Sequence, residues 1–392
     1  MKMRTITDGT YYVGAVDWER RIFDSLIPLP DGTSYNAYLI KGSEKTVLID
    51  TVDPAKKDIL FEQLESIDHI DYIIHQHAEQ DHSGSLPFLL EKYKDAKVVT
   101  NPRCKDLLID HLHVPEDIFI CVKDGDTLSL GNKTLTFIYT PWVHWPETMS
   151  TYLAEDKILF TCDFFGSHLA TSDLFVPDEA LVLEAAKRYY AEIMMPFRSV
   201  IQANLKKLSA YDISIIAPSH GPLYNRPSFI IDAYNDWVSS PPKNLVVIPY
   251  ISMHESTRIM VKHLTTSLIE RNVSVQEFDL TVTDIGKLAI SLVDAGTLVI
   301  GTPTVHIGPH PLVVNAAFLT NVLRPKLQHL SVIGSFGWGG KTLEQLTAMT
   351  SGLKAELLTP VLCKGLPRKE DLEAIEALAE TIQQKHTEKA FT

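Results

Sequence analysis

His77-Ala78-Glu79-Gln80-Asp81-His82-Ser83-Gly84 sets four metal-competent side chains within six residues. The run follows the apolar stretch Tyr72 to Gln76, read as a strand, and precedes a helical pattern from Ser85 to Lys92. A strand-to-helix turn lets successive side chains converge, whereas a straight strand sends them to opposite faces. A polar surface loop would account for this run alone, but three more candidates recur in similar settings. His144 stands in Trp142-Val143-His144-Trp145-Pro146, after the strand Leu135 to Tyr139. Asp163 directly follows the apolar strand Ile158 to Cys162, where a carboxylate needs a partner. His220 follows the apolar run Ile213 to Ala217.

Together these are four His, two Asp and one Glu at strand ends. Seven ligands are too many for one tetrahedral zinc and suit two metals sharing one carboxylate. Asp163 is the natural bridge, because it enters from a separate strand between the two sets. Mixed imidazole–carboxylate sites with open positions suit Fe(II) that binds O2, and the ligand set leaves zinc and manganese open.

Around this cluster the first ~240 residues mix short strands with helices, a size that fits one domain. Strands are expected at Tyr11 to Val13, Asn36 to Leu39, Thr46 to Ile49 and Met149 to Leu153. Helices are expected at Ile59 to Leu64 and Leu183 to Leu208. The mixture implies two sheets flanked by helices. A seam follows at Ser239-Ser240-Pro241-Pro242-Lys243, where two prolines stop the helical stretch Phe229 to Val238.

Beyond the seam a regular alternation sets in. Strands are read at Leu245 to Tyr250, Val273 to Leu280, Thr297 to Gly301, Leu330 to Ser335 and Ala355 to Val361. Helices are read at Ser256 to Arg271, Asp284 to Ala295, from Thr342, and at Arg368 to His386. Five apolar strands alternating with helices imply a doubly wound parallel sheet of the flavodoxin-like order 2-1-3-4-5, with a ligand at the C-terminal strand ends.

One such end is the loop Ser252-Met253-His254-Glu255-Ser256-Thr257, whose hydroxyls and helix N-terminus can hold a phosphate. It lacks both G-K-[ST] and G-x-G-x-x-G, which favours a mononucleotide. Thr302-Pro303-Thr304-Val305-His306 and Ser335-Phe336-Gly337-Trp338-Gly339-Gly340 complete the pocket. Glycines admit a ring system closely, and Trp338 can stack on it.

Composition narrows the partners. Lys and Arg number 36 against 49 Asp and Glu, a net charge of −13. Such a chain repels phosphate, which argues against nucleic acid or an anionic membrane as a partner. It leaves room for a small basic partner or a neutral gas. Cys104, Cys121, Cys162 and Cys363 form no C-x-x-C, which excludes a four-cysteine iron or zinc module among them and argues for a reducing compartment. With no signal-like N-terminus and no long apolar run, a cytoplasmic location is expected.

His77-x-Glu79-x-Asp81-His82, with His144, Asp163 and His220, resembles the metal signature of the metallo-β-lactamase-like fold, except that Glu79 stands where the hydrolases carry His. With a flavodoxin-like half attached, the chain resembles a flavodiiron protein (an A-type flavoprotein, or rubredoxin:oxygen oxidoreductase). Val16-Asp17-Trp18, Ser34-Tyr35-Asn36-Ala37-Tyr38-Leu39, Leu48-Ile49-Asp50, His144-Trp145-Pro146-Glu147 and Trp338-Gly339-Gly340 carry the likeness along the chain. It implies a metallo-β-lactamase-like αββα sandwich over 1–240 and a flavodoxin-like FMN-binding domain over 244–392. It also implies that His77, Glu79 and His144 bind one iron, that Asp81, His82 and His220 bind the other, and that Asp163 bridges them.

FMN would pass electrons to the diiron site, which would reduce O2 to water and/or NO to N2O. The external donor would be a rubredoxin-like protein or a reduced deazaflavin. A head-to-tail homodimer, or a dimer of dimers, would set one FMN beside the other subunit's metals, with Glu79 and Trp338 near the same flavin edge. Tyr189 and Tyr190 match paired tyrosines of the family, with Tyr190 expected to donate a proton or hydrogen bond. Asp50 is a plausible orienter of a ligand imidazole. His75 reads as a core or outer-layer histidine, His168 as outer-layer, and His111 and His113 as surface. Relatives often carry a histidine where this chain reads Phe23-Asp24-Ser25. The competing readings are a dizinc hydrolase joined to a flavodoxin-like domain and an electron-shuttling flavoprotein whose metal domain only scaffolds.

Overall fold

The computed structural model describes residues 2–238 and 241–391; Ser239 and Ser240 of the expected seam lie outside the described residues. These divide into two compact units, residues 2–190 with 197–238 and residues 191–196 with 241–391. Among the described residues no helix is long and apolar enough to cross a membrane.

The first unit holds a seven-stranded and a five-stranded sheet. Alternation along the strands of the larger sheet sorts side chains between two cores. Leu39, Leu48, Ile73 and Val98 pack with the helix residues Leu60, Leu86, Leu89 and Leu108. Their neighbours Tyr38, Ile40, Val47, Ile49, Ile74 and Val99 face the other way, against Phe137, Met149, Leu153 and Phe160 of the smaller sheet. The strands Met149–Leu153 and Ile158–Cys162 are buried at every residue, so both faces of the smaller sheet are covered. This is the αββα sandwich. The parallel strands Thr46–Ile49, Tyr72–Ile74 and Lys97–Thr100 end on one edge of the larger sheet. Ile158–Cys162 and Ile215–Pro218 end together in the smaller one. The Met149 N–H donates to the Gln76 carbonyl at 3.0 Å, tying the two sheets together beside the metal-competent turn.

The expected helix Leu183 to Leu208 is broken. Glu179–Tyr189 passes into a π-helical turn, Tyr190–Met194, and a short 3-10 turn, Met195–Phe197, before Arg198–Leu208. The strand Lys97–Thr100 and the helix Pro102–Leu112 add to the expected elements.

The second unit has the expected order: Ser274–Asp279, Lys243–Tyr250, Ala295–Val305, His329–Phe336, then the fifth position. That position is filled by two short pieces, Glu356–Leu357 and Val361–Lys364, both parallel to His329–Phe336. Pro360 lies between them and has no N–H for the ladder. A helix with no assignment from the sequence, Pro311–Leu323, crosses between the third and fourth strands.

The closing helix Lys369–Glu388 is fastened by His386, whose Nε2 meets Thr297 Oγ1 at 2.7 Å and whose Nδ1 meets Asn244 Oδ1 at 2.8 Å. Burial, then neighbouring His329, pushes His386 down to about 4. The unfolded chain therefore binds more protons between about pH 6.5 and 4, and stability falls as pH drops through that window. His386→Gln is expected to remove this part of the acid sensitivity, on the order of 2 kcal/mol. Urea midpoints of both proteins at pH 7 and 4.5 check it; equal acid shifts would contradict it.

Candidate metal centre and flavin cleft

The metal-competent turn is held from its backbone. Asp50 Oδ1 accepts the Gln76 N–H and Oδ2 accepts the Gln76 side-chain amide, both at 2.9 Å. Asp50 therefore fixes the residue before His77, and does not hydrogen-bond a ligand imidazole as expected. Glu79 is the N-cap of the short helix Gln80–Ser83, so Asp81 and His82 fall in its first turn. The Thr51 N–H donates to the His82 carbonyl at 2.8 Å.

Three further loops bring in the other side chains, and all seven candidates converge. His77, Glu79, His144 and Asp163 offer donor atoms within 4.8 Å of one another, and so do Asp81, His82 and His220. The two oxygens of Asp163 divide them. Oδ2 lies 3.4 Å from both His77 Nε2 and His144 Nε2. Oδ1 lies 2.9 Å from His82 Nε2 and 3.4 Å from His220 Nε2. Glu79 Oε2 sits 3.1 Å from His77 and 3.0 Å from His144, and Asp81 Oδ2 sits 3.2 Å from both His82 and His220.

The electrostatics match this geometry. Burial acts to raise Asp163, but the surrounding His82, His144 and His220 hold it well below the carboxylate range. Burial acts to lower His144 and His220, yet Asp163 with Glu79 brings His144 up to about 9, and Asp163 with Asp81 brings His220 up to about 10. These imidazoles must release protons to take a metal, so binding strengthens as pH rises. Both carboxylate oxygens of Asp81, both ring nitrogens of His82 and Asp163 Oδ1 are buried without a hydrogen-bond partner. Orphaned donors of this kind are costly unless ions satisfy them, and two cations fit the set.

Around the seven, His220 Nδ1 donates to the Ser34 carbonyl at 2.7 Å. His168 is buried, pairs with Thr33 Oγ1 at 2.9 Å, and packs its ring on His220 at 4.8 Å and on Phe23 at 5.0 Å. Phe23 thus stands as an apolar wall beside His168 and His220. His75 is buried in the core, His113 is exposed, and His111 is half-buried against Trp145 rather than free on the surface.

The paired tyrosines point to different neighbours. The ring of Tyr190 packs on Tyr234 and Trp237, at 5.4 and 5.3 Å, whereas Tyr189 packs on His168 at 4.8 Å and His220 at 5.8 Å. Successive helical residues point about 100° apart, so only one of the pair can face the metal-competent cluster. Sequence reasoning also passed over Glu147, which accepts from His77 Nδ1 at 2.7 Å. The available signal was a carboxylate three residues after His144 in an apolar loop, where it needs a partner.

In the second unit a cleft of about 520 Å³ opens at the C-terminal strand ends. Ser252, Met253, His254, Ser256, Thr257, Pro303, Thr304, Ser335, Phe336, Gly337 and Trp338 line it, joined by the unforeseen Gly365 and Leu366. Both additions follow the fifth strand as Gly337 follows the fourth. Gly339 and Gly340 line a neighbouring cleft of about 390 Å³, and Val305 lines neither, being paired with Gly308 in a hairpin. Thr257 Oγ1 is buried without a partner at the start of the helix Ser256–Glu270, as a phosphate-binding hydroxyl would be. Added Cβ atoms at Gly337 and Gly365 would meet nothing within 4 Å, and Trp338 is 94% exposed, which leaves open space for a planar ring.

A sandwich carrying a two-metal donor set at its strand ends defines the class, and residues 33–221 match the family described as ODP family beta lactamase. The chain is 37% identical over 380 residues to the nitric oxide reductase of Moorella thermoacetica, covering 94% of this chain and 95% of that one. The solved rubredoxin oxygen:oxidoreductase from Desulfovibrio gigas superimposes with a TM-score of 0.95 at 32% identity, covering 100% of both chains. The flavodiiron protein from Giardia intestinalis superimposes with a TM-score of 0.91 at 27% identity, over 98% of this chain and 97% of the other. The chain belongs to the flavodiiron protein family.

Proposed function

We propose that this chain is a flavodiiron oxidoreductase that reduces O2 to water and/or NO to N2O, with electrons delivered through FMN from a separate donor. The observation that carries the reading is Asp163, whose two oxygens address two different sets of imidazoles. His77, Glu79 and His144 would hold one iron, Asp81, His82 and His220 would hold the other, and Asp163 would be shared between them. When bound, two Fe(II) and reduced FMN together supply four electrons, the number that takes O2 to two waters, while two suffice for a pair of NO molecules. Glu79 adds a hard anionic oxygen where hydrolases of this fold carry imidazole, which favours iron over zinc. Tyr189, in place of Tyr190, presents its phenol on the His220 side. The dizinc hydrolase loses support from Glu79 and from full-length similarity to reductases.

Thr257 and Ser252 hold the FMN phosphate in this reading, with Trp338 and the glycines of its loop around the ring. Thr257→Val keeps the side-chain shape and removes the hydroxyl. It is expected to weaken FMN binding about tenfold or more, the worth of one hydrogen bond to a charged group, as fluorescence titration would show. A rubredoxin-like protein or a reduced deazaflavin suits the donor role. A head-to-tail homodimer, or a dimer of dimers, and a cytoplasmic location complete the proposal; all four cysteines are free, in keeping with a reducing compartment. The test mixes anaerobically reduced protein with O2 or NO and follows flavin reoxidation. Rapid reoxidation with water or N2O as product is expected, and a flavin indifferent to both gases would overturn the reading.

A further inference from the structure

His77 differs from the other metal-facing imidazoles in what stands behind it. Its Nδ1–H donates to Glu147 Oε1 at 2.7 Å while Nε2 faces Glu79 and Asp163. The Glu147 side chain is fully buried, and the same Oε1 accepts the Ala78 N–H at 3.1 Å. The Glu147 carbonyl is itself held by the Asn101 side-chain amide. Across the centre, His220 is backed by a neutral backbone carbonyl, that of Ser34, and His82 Nδ1 has no hydrogen-bond partner among the described residues. Leaving out the shared Asp163, two carboxylates come within 4 Å of the ring nitrogens of the His77 set, Glu79 and Glu147, and one, Asp81, of those of His82 and His220.

We propose that Glu147 is a positioning residue that makes the two metal positions unequal, holding iron at His77, Glu79 and His144 in the ferric state more firmly than iron at the other position. This rests on the diiron reading above. A carboxylate that accepts from Nδ1–H fixes the tautomer, aims Nε2 at the metal and makes the imidazole a stronger donor. A stronger donor favours Fe(III), so an iron held by His77, Glu79 and His144 would have the lower reduction potential and one held by Asp81, His82 and His220 the higher, with reduced flavin as the reductant.

The test is a potentiometric titration of the iron-loaded full-length protein, followed by EPR, for wild type and Glu147→Gln. The amide oxygen of Gln can still accept both N–H groups, so the variant removes charge and keeps shape. The lower-potential iron step is expected to rise, the ferric-to-ferrous ratio at fixed potential falling about tenfold (59 mV for one electron), while the other step moves less than about twofold. No movement, or equal movement of both steps, overturns the inference. Cobalt titration of Glu147→Gln and Glu147→Ala gives a readout that does not depend on iron loading. One position is expected to weaken about 10–100-fold and the other to bind as in wild type, and equal weakening overturns the proposal. Wild-type protein that binds no iron at all would instead sink the diiron reading.

Discussion

Replacing Asp163 with Asn is expected to abolish gas reduction and leave the flavin reducible by its donor. Among the described residues, Asp163 is the one side chain whose two oxygens reach both sets, with Oδ1 2.9 Å from His82 and Oδ2 3.4 Å from His144. Asn keeps a single acceptor oxygen and turns an N–H2 toward the other set, so one metal position loses a ligand and faces a donor instead. The bridging negative charge between two cations is lost as well. Residues that merely orient ligands cost about 10–100-fold when changed, so loss of the bridge is expected to lower turnover more than about a hundredfold. Donor-driven bleaching of the flavin and its reoxidation by O2 or NO separate the two halves of the prediction. Unchanged reoxidation in Asp163→Asn would remove the bridge from the account.

The second large effect concerns Glu79. Its Oε2 sits between His77 and His144, at 3.1 and 3.0 Å. Burial acts to raise this carboxylate, yet His144 and His77 hold it below the usual range. Glu79→His rebuilds the H-x-H-x-D-H pattern of the hydrolases, trading a hard anionic oxygen for neutral nitrogen. The variant is expected to take up zinc in preference to iron when both are offered, and to lose more than about a hundredfold of its gas-reducing turnover. Elemental analysis after growth with both metals, beside flavin reoxidation kinetics, reads both outcomes. An iron-loaded and active Glu79→His protein would show that the metal choice lies elsewhere.

The donor set was legible in the sequence because each member lies at the end of an apolar run. Parallel strands deliver their C-terminal ends to a common edge, so side chains 57 residues apart, at Asp163 and His220, converge. The alternation of Tyr38, Leu39 and Ile40 between two cores follows from the pleat alone. What escaped was set by geometry finer than pattern. The helix Pro311–Leu323 reads PLVVNAAFLTNVL, with no charged face to give it a period. The π-helical turn at Tyr190–Met194 rotates the chain just before Pro196, the residue of that stretch that signals a break. The sequence reading favours Tyr190, whereas the ring set beside His168 and His220 is that of Tyr189. Glu147 reads in the sequence only as part of the motif His144-Trp145-Pro146-Glu147; that it needs a partner is legible, but that the partner is His77, 70 positions away, is set by the fold.

That two redox metals share Asp163 is tested most directly by the metal and flavin content of protein purified without oxygen. Two irons and one FMN per chain are predicted, with both irons lost from Asp163→Asn under chelation that leaves the wild type loaded. Protein that carries zinc at both positions, or FMN with no iron, would contradict it.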